Sequence, residues 1–465
     1  MVFRMALNRR ECLRSAGLMA TGMLGLDRYL AAEEVRPSPR VAPLEPDPQG
    51  ILDLPQGLTY RIFSRTGQQM DDGLLVPGLH DGMAALPGKN GLTVLIRNHE
   101  IDFEKSHLSA FGEGFELLNR VDQRLLYDRG HGNRPACGGT TTLVYDTKKQ
   151  QLQSHFLSLG GTASNCAGGP TPWGTWLSCE ETIERTGPRA SRDHGYIFQV
   201  RKTQRPGLSS PIPYRAMGRF RHEAVAVDPQ TDIVYETEDV EDGLIYRFLP
   251  EKPGNLQRGG RLQALCLRDQ PGACLRNWPD DRGPKISVGQ RYATEWVPIE
   301  NVESPADDLR YQGHVEKGAA QFARAEGIWW DRGVLYWACT TGGEKQFGQI
   351  WRYRPSPAEG RSQEDQSPGE VELLFQPNHK RILQNADNLI VAPWGDLIVC
   401  EDSEDRDHLV GITPDGTFYR LARNAMNHSE LTGSTFSADG TTLFVNIQDP
   451  GMTLAITGNW PNVTS

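Results

Sequence analysis

A single plan recurs along this chain: an apolar strand, a tight turn, a second strand ending in acidic or polar residues, and a third strand a few residues further on. The fullest copy spans residues 222–238 and continues at 243–248. The plan returns at 326–340 with 348–353, at 387–401 with 409–413, and at 431–446 with 453–456. An earlier copy runs from 165 to 181 and on to 195–200, and a looser one joins 91–100 to 139–146, which makes six. Three short antiparallel strands per copy, punctuated by Gly or Asp turns, are the unit of a propeller blade. A β-sandwich also contains short strands but does not repeat this punctuation. The 49 Gly and 31 Pro of the sequence suit many tight turns rather than long helices. The expected fold is therefore all-β: a six-bladed β-propeller with a polar central channel.

Equivalent positions of successive blades surround one axis, so polar residues that recur in register meet there. From Asn165 to Cys179, from Glu326 to Thr340 and from Asp387 to Glu401 the separation is 14 residues, and from Glu223 to Glu238 it is 15. A strand pair that folds back on itself returns to the end where it began. Glu223, Glu326, Asp387, Cys179, Glu180 and Glu401 are thus expected at one mouth of the channel. Carboxylates crowded together must take up protons or bind a cation. Oxygen-rich clusters suit hard ions, and a thiolate among them suits a transition metal. Acids at strand ends also serve as turn formers or solvated groups, and Cys179 could be a small buried residue. Arg324, two residues before Glu326, would offer a fork to phosphate oxygens or pair with the cluster's acids.

Outside the repeat, Arg4, Arg9, Arg10 and Arg14 precede a largely apolar run from Ser15 to Leu26 and small residues at Ala31 and Ala32. This is the layout of a twin-arginine signal peptide over residues 1–32, too short to span a bilayer. A Pro-rich linker follows at 33–50, and 51–465 forms one domain. The expected location is periplasmic or secreted, with the twin-arginine export machinery as a partner and no stable membrane span. A net charge of −10 argues against nucleic acid and suits cation binding. Cys12 leaves with the signal, so seven of the eight cysteines remain, an odd number. Cys266 and Cys274 share one loop and could form a local disulfide. No Gly-x-Ser-x-Gly elbow, P-loop or His-Glu-x-x-His element is present.

Several stretches together resemble the PhoX family of secreted alkaline phosphatases: Asn98-His-Glu100, Asn165-Cys166, the run from Thr171 to Glu181, Arg221-His-Glu223, Arg324-Ala-Glu-Gly327, Ala386-Asp-Asn388, Cys400-Glu-Asp402 and Phe444-Val-Asn-Ile-Gln448. The resemblance implies a propeller that hydrolyses phosphate monoesters with a cofactor of ferric iron (Fe³⁺) and calcium (Ca²⁺). It implies Cys179, Glu223, Glu326 and Asp387 as metal ligands, with Glu180, Glu401 and Glu100 as further ones. Arg324 is implied as the phosphate binder, and Asn165 as a second catalytic candidate. The rival readings are a non-catalytic calcium-binding propeller and a calcium-dependent lactonase of the same architecture.

Overall fold

The computed structural model describes residues 40–282, 284–303 and 309–460. The expected signal peptide and residues 33–39 of the expected linker lie outside them. Six inner strands, His80–Pro87, Asn165–Pro170, His222–Val227, Ala325–Asp331, Ala386–Val391 and Leu431–Phe436, pack side by side in a closed ring. Each opens an antiparallel sheet that runs outward, so the expected six blades are present. An apolar cluster fills each of the six clefts between neighbouring blades. Between the third and fourth, buried Trp337 and Trp351 stack 6.3 Å apart with Phe322 edge-on to both. Truncating one such Trp to Ala costs roughly 3–5 kcal/mol.

Local sequence dictates the hairpins. Ala325–Asp331 joins Val334–Cys339 through Arg332 and Gly333, whose φ values of 46° and 81° match the primed turn that twisted strands require. The ring is closed by the chain's own ends. Leu58–Arg65 pairs with Met452–Gly458 and completes the last blade. Leu52–Pro55 and then Leu44–Glu45 extend the fifth blade beyond Phe418–Asn424. The later part of the expected linker is therefore docked, held by Asp47, whose carboxylate accepts from Ile51 N, Leu52 N and the Tyr60 hydroxyl. Arg291–Pro298 pairs with the outer strands of both the third and fourth blades and covers two sheet edges at once.

The cysteines of the described residues are free. The disulfide considered between Cys266 and Cys274 is not formed: the Cys266 thiol donates to Gly318 O, and Arg276 Nε lies 3.2 Å from Cys274 Sγ.

Candidate metal centre

Each inner strand carries a bulge at the same place. Register breaks between His80 and Met83, Asn165 and Gly168, His222 and Val225, Ala325 and Ile328, Ala386 and Leu389, and Thr432 and Thr435. In each blade two inner residues thus oppose one on the second strand, which re-aims a side chain. The first residues of the six bulges are Asp81, Cys166, Glu223, Glu326, Asp387 and Gly433. A second ring follows the second strands: Glu100, Glu181, Asp239, Thr340, Asp402 and Gln448. The backbone N–H of each donates to a carbonyl at the entry of the inner strand, two residues before the bulge pair at Leu79, Ser164, Arg221, Arg324 and Asn385 and three before it at Glu430. Leu79, Ser164, Arg324 and Asn385 hold φ between 44° and 53°, a left-handed conformation that non-glycine residues adopt only where the surroundings impose it.

Tight packing makes these bulges fit. A Cβ on Gly327 would stand 2.6 Å from Asn388 Cα and 2.7 Å from Asp387 O. Side chains from neighbouring blades hold the bulged backbone: Thr237 Oγ1 donates to Glu326 O at 2.7 Å, Thr340 Oγ1 to Ala386 O at 2.7 Å, and Asn98 Nδ2 to Ala167 O at 2.6 Å.

Three groups of donor atoms result, each with all members within 4.8 Å of one another: Asp81, Glu100 and Cys166; Cys166, Glu181 and Glu223; and Glu223, Glu326 and Asp387. They share Cys166 and Glu223, so they form one continuous lining. Cys166 Sγ lies 3.2 Å from Glu223 Oε1 and 3.7 Å from Asp81 Oδ2, and Gln448 Nε2 donates to both Asp81 and Glu100 at 3.1 Å. Burial, and then repulsion from neighbouring carboxylates, pushes the acids of Asp81, Glu181, Glu223 and Glu326 well above the usual range. Burial likewise lifts Glu100 to about 7 and Asp402 to about 6. This lining would bind several cations in place of protons, and the mix of carboxylates with one thiol fits metal ions.

Arg324 reaches this lining from the fourth blade. Its Nε and Nη2 donate to the two oxygens of Asp239 at 3.0 Å each, and Nη2 also lies 2.6 Å from Glu326 Oε1. The latter contact is off the line of a hydrogen bond, which leaves Glu326 Oε1 buried without one. The charge of Glu326, and next that of Asp239 against the cost of burial, holds the guanidinium firmly protonated.

Of the residues expected from sequence, Glu100, Glu223, Glu326 and Asp387 come together in this lining, with Arg324 beside them. Cys179, Glu180 and Glu401 do not join it. Cys179 is the residue opposite the bulge of the second blade, and its thiol is fully buried in the apolar cleft toward the third. Glu180 pairs with Asn165, and its carboxylate turns behind the ring. There it accepts from Ala163 N, Gly195 N and Tyr196 N and lies 2.6 Å from His194 Nδ1. Glu401, the equivalent residue of the fifth blade, is engaged by Gln384 N, His408 and Arg420. The Asn165 amide bonds Thr162 and Ser178, at 2.6 and 2.9 Å, and so fixes the strand that presents Cys166. Asp81, Cys166 and Glu181 are the donors that sequence spacing misses.

No curated protein matches the chain in sequence. Among solved structures it resembles Pseudomonas fluorescens PhoX in complex with vanadate, a transition state analogue, at 18% identity and a TM-score of 0.66, covering 91% of this chain and 98% of that one. A gluconolactonase from Xanthomonas campestris (11% identity, 91% of this chain and 99% of that one) and a putative 6-phosphogluconolactonase from Bacteroides uniformis (11%, 84% and 90%) reach TM-scores of only 0.39 and 0.37. The family described as alkaline phosphatase PhoX matches residues 40–451, and with that match over most of its length this chain belongs to the PhoX family of alkaline phosphatases.

Proposed function

We propose that the chain hydrolyses phosphate monoesters of small molecules with metal ions held by Asp81, Glu100, Cys166, Glu181, Glu223, Glu326 and Asp387. The observation that carries this reading is the linkage of three donor groups through Cys166 and Glu223 inside a PhoX propeller. Iron in the ferric state suits the thiolate and its neighbouring carboxylates, and calcium suits the all-oxygen part of the lining. Held by these residues, such ions would supply charge neutralisation for phosphate oxygens and activation of an attacking oxygen.

The protein's share of the work is positioning and electrostatics. Arg324, fixed by Asp239, presents its remaining N–H groups to a phosphate at the channel mouth. Gln448 holds Asp81 and Glu100 in one orientation, and Asn165 orders the approach to Cys166. The burial of Asp81, Glu223, Glu326 and Asp387 strengthens each charge interaction among them. Hydrolysis of an aryl phosphate, lost on chelation and restored by iron with calcium, supports this function. Full activity after complete chelation rejects it.

For location we propose the periplasm or the exterior, reached by the twin-arginine route. The support is the arginine pair Arg9 and Arg10 before an apolar run. No helix of the described residues is long and apolar enough to cross a membrane. Changing both arginines to Lys leaves the protein in the cytoplasm if that route is used, and normal periplasmic yield counts against it.

A further inference from the structure

Arg221 occupies in the third blade the place that Arg324 occupies in the fourth. Each stands two residues before the bulge pair, in Arg221-His-Glu223 and Arg324-Ala-Glu326, and each carbonyl accepts from the second ring, at 3.3 Å from Asp239 N and 2.9 Å from Thr340 N. At the corresponding places of the other four blades stand Leu79, Ser164, Asn385 and Glu430, the last one residue further from its bulge, so Arg221 and Arg324 are the two cations among these six residues.

Their guanidinium groups are differently committed. The Nε and Nη2 edge of Arg324, the edge that pairs best with two oxygens, is already taken by Asp239, and Nη2 also faces Glu326. Releasing it would strand Asp239 and Glu326 without their cation. Arg221 makes no hydrogen bond or ion pair through its guanidinium with any of the described residues. It is partly exposed, and its charge reaches the lining, where with Arg324 it opposes the upward push on Glu181.

We infer that Arg221 is a second phosphate-gripping residue, whose open fork takes two non-bridging oxygens of the phosphate group while Arg324 contributes from its one free side. This rests on the phosphatase reading above. It divides the work between a tethered arginine that sets orientation and an untethered one that supplies the bidentate grip.

The test is titration calorimetry of inorganic phosphate into the metal-loaded protein, with metal content measured on each sample. For Arg221→Gln, full metal with phosphate affinity weakened roughly tenfold to a hundredfold is expected, the range for losing a charge-assisted pair of hydrogen bonds. Arg221→Lys keeps the charge without the fork and is expected to fall between Arg221→Gln and the parent. Wild-type affinity in both variants at full metal overturns the inference, and so does metal loss in both, which would mark Arg221 as part of the scaffold. If the metal-loaded parent neither binds phosphate nor hydrolyses aryl phosphates, the failure lies with the phosphatase reading. Hydrolysis by the parent with unchanged phosphate binding in both variants isolates the failure to Arg221.

Discussion

Cys166 Sγ lies 3.2 Å from Glu223 Oε1, although the two residues are 57 positions apart and belong to different blades. Burial, and then the charges of Asp81 and Glu223, push the thiol well above its usual range, so a free thiolate beside these acids is disfavoured. A metal ion held here by Cys166 and Glu223 would reverse that balance by favouring the deprotonated forms.

Cys166 is therefore expected to be the thiol that matters for metal binding. Cys166→Ser should lose most transition metal, because the alcohol stays protonated and is a poor soft donor. Cys179→Ser should keep the metal and lose stability by about 1–3 kcal/mol, since it buries a hydroxyl in an apolar cleft. Metal content and chemical unfolding of the two variants check this. The reverse pattern would return the ligand role to Cys179.

Gly327→Ala probes the packing of the bulges. The added Cβ meets backbone of the fifth blade at 2.6 and 2.7 Å, so the fourth and fifth inner strands must separate. A cost of roughly 1–3 kcal/mol is expected, with weaker metal binding because Glu326 and Asp387 move apart. Equilibrium unfolding with metal titration measures both. Unchanged metal affinity would show that the donors tolerate such a shift.

His194 sets a pH dependence. Burial pulls its pKa down, but the charge of Glu180 and the bond to Asp128 outweigh this and lift it to about 9. The ring also meets Phe103 and Tyr127 edge-on, and neither offsets the charge. A raised pKa in the folded state stabilises fully below the ordinary value of 6.5 and loses its contribution as pH rises through 9. The contribution is on the order of 3 kcal/mol. His194→Gln should melt lower at pH 6, and its gap from the parent should close by pH 10. A constant gap across that range would refute the charged form.

Much of this was legible in the sequence. The strand–turn–strand repeat identifies all six blades, and Glu223, Glu326 and Asp387 follow from their registered places. The ligand set was partly obscured because a constant spacing of 14 or 15 ignores turns that differ in length. That spacing aligns Asn165 with Glu326, whereas the bulges align Cys166 with it. A slip of one residue reverses the direction of a side chain, which is why the spacing points to Glu180 and Glu401 rather than to Glu181 and Asp402, and Cys179 stands on the second strand, opposite the bulge that holds Cys166. Asp81 escapes the repeat because the copy at 91–100 is the second strand of the first blade. Yet His80-Asp-Gly-Met-Ala-Ala85 carries the same His-acid-small-apolar order as His222-Glu-Ala-Val-Ala-Val227. The outer strand Arg291–Pro298 left no local signal because its pairing partners are distant in sequence, and Leu44–Glu45, which pairs with nearby Leu54 and Pro55, is too short to show a period.

Glu223 belongs to two of the three donor groups, so its substitution bears most directly on the claim that the bulge ring holds the ions of a phosphatase. Elemental analysis of the purified parent and of Glu223→Gln is the decisive measurement. The expected result is iron with calcium in the parent and a loss of most of both in the variant, since a neutral amide is a weaker donor and removes a balancing charge. A full complement of metal in Glu223→Gln, or a parent active on phosphate monoesters without bound metal, would contradict the account.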